Sequence, residues 1–114
     1  MADPVIYHNP RCSTSRKTLQ LLRDNGIEPA VVEYLKTPPS RDELATLIRD
    51  AGIDVRAAVR KRETLYAELN LADADDEELL DAMAQHPILI ERPFVVTAKG
   101  TRLARPIETV REIL

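Results

Sequence analysis

Cysteine is almost absent from this sequence. Cys12 is the only one in 114 residues, so the chain has no second thiol with which to close a disulfide. Secreted chains of this size usually carry cysteines in even numbers, and a lone thiol suits a reducing compartment, so a cytoplasmic protein is expected. Histidine is scarce too: two imidazoles and one sulfur scattered along the chain offer no ligand cluster, and no metal site is expected. Long apolar runs are missing. No stretch approaches the roughly 18 apolar residues of a membrane span, and MADPVIYHNP has a proline and polar side chains where a signal peptide needs an apolar core. Neither membrane insertion nor export is expected. A basic tail or stripe, the mark of a nucleic-acid binder, is missing: the net −3 comes from acids and bases spread along the whole length. Repeats and low-complexity segments are absent as well.

What is present is the composition of a folded protein. A 44% hydrophobic and 31% charged chain of this length suits one domain with a single core. Val5, Ile6 and Tyr7 form a short apolar run fit for a buried strand, which HNPRC breaks before a helical pattern begins. That helix is expected from about Ser13 to Asn25, with Leu19, Leu21 and Leu22 inward and Gly26 just past its end. AVVEYL reads as a second strand. Ser40 and Glu43 stand at capping-box spacing ahead of Leu44, Leu47 and Ile48, giving a second helix that ends near Gly52. Asp54 can cap a third helix, VRAAVRKRETLYAEL, and the acidic run DADDEELL opens a fourth that ends by Pro87. FVVT and TRLA, joined through Ala98, Lys99 and Gly100, form a hairpin. Pro106 suits the first position of a closing helix with Ile107, Val110, Ile113 and Leu114 as its apolar stripe. The order is βαβ, three helices, ββ, α: a small mixed α/β sheet with helices on its faces and a helical insertion between the second and third strands.

Cys12 falls between the end of the first strand and the start of the first helix, where backbone N–H groups lack intrahelical partners. The helix dipole there favours a thiolate, and cysteines so placed can have pKa values lowered to roughly 3.5–7.5. His8, Arg11 and Arg16 lie in the same dozen residues, and any of them near the sulfur would push it the same way. The alternative is a small buried hydrophobe, the common state of a free cysteine. Polar neighbours Arg11, Ser13, Thr14, Ser15 and Arg16 argue against it. The same free N–H groups, with the hydroxyls of Ser13, Thr14 and Ser15 converging on them, are expected to hold a tetrahedral oxyanion. A thiolate beside an anion needs fixed positive charge, and arginine supplies it permanently in a planar fork. Arg60 after the RAAV turn, Arg92 before Pro93 and Arg105 before Pro106 stand out by context; most of the other basic residues are read as solvated surface charges. A cis peptide before Pro93 would place Arg92 at a sheet edge beside the site.

These segments resemble the glutaredoxin-type arsenate reductases. IYHNPRCSTSR, EYLKTPPSRDEL, GIDVRAAVRK, HPILIERPFVVT, GTRLARPIE and the final IL follow the family order over nearly the whole chain. The resemblance implies a thioredoxin-like fold with its helical insertion at about 40–86. It also implies a nucleophile at Cys12, help from His8 and Ser15 in activating the thiol, anion-binding arginines at Arg60, Arg92 and Arg105, and the cis-proline at Pro93. Reducing arsenate to arsenite takes two electrons, and one disulfide formed from two thiols releases two. With a single cysteine in the chain the second thiol must be external; the resemblance implies glutathione as co-substrate and glutaredoxin as partner. No tightly bound cofactor is expected, and the protein is expected to be a monomer. The rival reading is a glutathione-dependent thiol reductase of another substrate. Spx-like regulators, which share the fold, sense oxidation through a C-x-x-C pair, and Ser15 stands where the second cysteine would be.

Overall fold

The computed structural model describes residues 3–114 and contains a four-stranded sheet, four α-helices and four 3-10 segments. It divides into two compact units: residues 3–37 with Arg92–Leu114, and Pro38–Glu91. Among the described residues no helix is long and apolar enough to cross a membrane.

The first unit holds β1 (Val5–His8), α1 (Ser13–Asp24), β2 (Ala30–Glu33), β3 (Phe94–Thr97) and β4 (Gly100–Leu103). The sheet order is β2-β1-β3-β4, with β1 parallel to β2 and antiparallel to β3, and β3 antiparallel to β4. A parallel pair requires a crossover, and α1 supplies it. This is the mixed α/β sheet expected from the sequence. Its core gathers Ile6, Leu22, Val95, Ala104, Val110 and Ile113. α1 ends as its sequence suggests, with Gly26 at φ 77°, a left-handed conformation that costs glycine little, and with Ile27 N–H bonded to Leu22 C=O at 2.9 Å.

The closing segment differs from expectation. Pro106 is extended at ψ 165° and lies outside the helix, and Ile107–Ile113 is a 3-10 helix rather than an α-helix. Its apolar residues Ile107, Val110 and Ile113 are spaced by threes, and three residues per turn aligns them on one edge, where Val110 and Ile113 are buried.

The second unit holds α2 (Arg41–Asp50), α3 (Thr64–Glu68) and α4 (Asp76–Gln85). Capping boxes open two of them: Ser40 with Glu43 for α2, as expected, and Asp75 with Glu78 for α4. The single helix expected from Val55 to Leu69 is broken. Val55–Ala58 is a 3-10 turn, Val59 is extended and bridges Ile90, and only Thr64–Glu68 is α-helical. The reason is pairing: Arg60 N–H bonds Leu89 C=O at 2.7 Å and Glu91 N–H bonds Ala58 C=O at 2.8 Å, an exchange that needs extended backbone at the buried Val59.

Candidate active site

Two periodicities build the site. Strand alternation puts Ile6 and His8 on one buried face of β1, and helical spacing puts Ser15, Thr18 and Leu22 on the buried stripe of α1. Packing α1 on β1 therefore joins His8 to Ser15: Nδ1 and Oγ lie 2.6 Å apart, both residues buried. Ser15 Oγ also accepts the Asn9 N–H at 3.1 Å. Its hydroxyl is thus consumed inside the loop, Ser13 is exposed, and the three hydroxyls of Ser13, Thr14 and Ser15 do not converge as expected. Consecutive helical residues point about 100° apart, so three in a row cannot face one point.

Cys12 is the residue before α1, extended at φ −92° and ψ 121°, with its carbonyl accepting the Arg16 N–H at 3.0 Å. It is half-buried. Burial is the strongest single influence on the thiol and raises its pKa. The Ser15 backbone N–H, a hydrogen bond from Arg92 and the charges of Arg92 and Arg105 together outweigh it, leaving the thiol below its ordinary value. Of the cations expected near the sulfur, Arg16 instead donates to Pro10 C=O at 2.8 Å. His8 is also shifted down. Burial is the main cause, Glu33 opposes it, and Arg23 and Arg16 add to it, so a neutral imidazole is favoured at neutral pH.

The two arginines come from the segments that flank the hairpin. Arg105 Nη2 lies 3.7 Å from Cys12 Sγ, and its Nε donates to the Arg92 carbonyl at 2.8 Å. Arg92 is 6% exposed, and its Nε and Nη1 have no hydrogen-bond partner. A buried guanidinium with two unanswered donors is costly, and an oxyanion would satisfy both. The Arg92–Pro93 peptide is cis, as the resemblance implied, and so is Arg105–Pro106. The structure thus brings Cys12, Arg92 and Arg105 together and ties His8 to Ser15. Arg60 lies in the second unit, where Glu63 Oε1 at 2.9 Å and Glu91 Oε1 at 3.4 Å hold it. Among the described residues no group of three or more His, Cys, Asp or Glu stands together as a metal site. Sequence reasoning overlooked Asn9, buried and bonded three ways; an Asn before a proline next to a cysteine was the available signal.

Known proteins place the chain in a family. The chain is 62% identical over 112 residues to an arsenate reductase of Rhizobium meliloti, spanning 96% of this chain and 80% of that protein. It is 58% identical over 116 residues to an Escherichia coli arsenate reductase, spanning all of this chain and 82% of the other. The solved arsenate reductase of Vibrio cholerae superposes with a TM-score of 0.93 at 54% identity, covering 97% of each chain. Residues 7–113 match the ArsC family, and with identity of this order across its length the chain belongs to that family.

Proposed function

We propose that this protein is an enzyme that reduces arsenate to arsenite, with Cys12 as nucleophile and an external thiol as the second reductant. Supporting the reaction class are relatives named arsenate reductase that align with 96% and 100% of the chain. The observation that carries the chemistry is a half-buried thiol of lowered pKa, 3.7 Å from Arg105, beside an Arg92 whose buried Nε and Nη1 lack partners.

The Cys12 thiolate attacks arsenic, an S–As bond forms, and one arsenate oxygen takes up protons and leaves as water. Arg92 and Arg105 offset the repulsion between thiolate and oxyanion and stabilise the charge that develops on the oxygens, each at a scale of about 2.7–4 kcal/mol if well aimed. A glutathione thiolate then attacks the Cys12 sulfur. The S–S bond forms as the S–As bond breaks, its electron pair goes to arsenic, and arsenite leaves. Two sulfurs have lost two electrons and arsenic has gained two. Glutaredoxin attacks the glutathione sulfur of the mixed disulfide and returns Cys12 to the thiol. The external thiol follows from the single cysteine of the chain. His8 and Ser15 hold the loop under the nucleophile through their mutual bond. This reading rests on the unit that contains Cys12, Arg92 and Arg105 and asks nothing of Arg60.

The test is arsenate reduction with glutathione and glutaredoxin added separately and together, followed by intact-mass analysis. Turnover that needs both, with one glutathione on Cys12 when glutaredoxin is left out, is expected. Glutathione-dependent reduction of other oxidised thiols without arsenate turnover would replace this reading with the thiol-reductase one.

A further inference from the structure

The loop that presents Cys12 is organised around one buried amide. Asn9 is 4% exposed and bonds in three directions. Its N–H donates to Ser15 Oγ at 3.1 Å, its carbonyl accepts the Cys12 N–H at 3.0 Å, and its side-chain Oδ1 accepts the Arg11 N–H at 3.0 Å. The last bond is the side-chain mimic of a backbone turn that asparagine makes two residues ahead of itself. It spans Pro10, which has no N–H to offer and a fixed φ, so the turn is closed twice from one residue. Cys12 is then constrained on both sides: its N–H is taken by Asn9, and its carbonyl by the Arg16 N–H at 3.0 Å. With the backbone of Cys12 held extended, the direction of its Cβ is set, and that direction carries the sulfur to Arg105.

We propose that Asn9 is a positioning residue for the nucleophile, its side-chain amide locking the Pro10–Arg11 turn so that Cys12 presents its sulfur to the Ser15 N–H and the Arg105 guanidinium. It acts through Cys12 and not on the substrate. The inference rests on Cys12 being the nucleophile of the proposed reaction, and it deepens that reading. It differs from a purely structural role, in which removing the amide would lower stability and leave the thiol unchanged.

The experiment measures the rate of Cys12 alkylation by iodoacetamide against pH, in which arsenate takes no part. Asn9→Ala is expected to move the inflection of that profile upward by about half a unit to one unit, the scale of one hydrogen bond's worth of thiolate orientation. It should lower kcat for arsenate more than it changes KM. Asn9→Ser, whose hydroxyl can close the same turn more weakly, should fall between alanine and the natural residue. An Asn9→Ala inflection equal to wild type, with only the melting temperature reduced, overturns the proposal. If alanine does not fold, Asn9→Leu fills the space without an acceptor and decides by the same reading; loss of fold in both also overturns it, since the amide would then serve the loop's integrity alone. A shifted inflection in a protein that does not reduce arsenate supports the positioning role and sinks only the assignment of the substrate.

Discussion

Arg105 Nη2 and Cys12 Sγ meet at 3.7 Å across 93 residues of sequence. The same guanidinium donates through Nε to the Arg92 carbonyl, so one side chain ties the exit of the hairpin both to its entry and to the sulfur. Replacing it with alanine removes a charge that favours the thiolate and the donor proposed for the oxyanion. Arg105→Ala is expected to lower kcat/KM for arsenate by about 10²–10³-fold. Arg105→Lys keeps the charge but loses the fork that reaches both partners, and steady-state kinetics should place it between alanine and wild type.

Cys12→Ser tests the nucleophile itself. Serine is close in size and the site is half-buried, so circular dichroism should show an unchanged fold. Arsenate reduction should fall to the background rate. Turnover within about tenfold of wild type would contradict the covalent route, because an unactivated hydroxyl is a far weaker nucleophile than a thiolate.

The lowered thiol pKa has a consequence for stability as well as rate. The folded protein holds the Cys12 proton less tightly than the unfolded chain does, so ionised Cys12 contributes stability fully above the unfolded pKa. That contribution is lost as pH falls through the folded value. Chemical denaturation of wild type and Cys12→Ser across this range should give curves that converge at acid pH and separate at alkaline pH. Constant separation would mean that the thiol titrates alike in both states.

Ser15→Ala leaves two buried groups without the partner they have now, the Asn9 N–H and His8 Nδ1. A cost of about 1–3 kcal/mol is expected from such orphaned groups, read from the denaturant midpoint. Ser15→Thr keeps the hydroxyl and should recover part of it. A change below about 0.5 kcal/mol would show that the pair contributes little.

His8 titrates in the same buried setting. Burial disfavours its charged form, so the unfolded chain binds the proton more readily than the folded one. The neutral imidazole therefore contributes stability above the unfolded pKa, and this is lost as pH falls through the lowered folded value. Nuclear magnetic resonance should find the His8 ring titrating below 6.5, and a value above it would put the charged form in the loop.

Much of this was legible in the sequence because local chemistry dictates it. The lone cysteine, its place before α1, the Ser40–Glu43 cap and the mixed β-α-β and hairpin pattern all follow from residue spacing within a dozen positions. Where neighbours distant in sequence decide, local reading failed. The stretch from Val55 to Leu69 looked helical, yet Val59 is drawn out to pair with Ile90, whose position no local pattern encodes. The hydroxyls of Ser13, Thr14 and Ser15 looked alike on paper, and only packing of α1 against β1 sorted them, giving Ser15 to His8 and leaving Ser13 to solvent.

By itself, then, the sequence determined that one sulfur sits at a helix start, that no second thiol can join it within the chain, and that arginines stand beside prolines at both ends of a hairpin. Which of those arginines meet the sulfur was decided by tertiary structure. Backbone pairing of β1 with β3 and β3 with β4 carries Arg92 and Arg105 to Cys12, because hydrogen-bonded strands fix positions that are far apart in the chain to within a few ångströms.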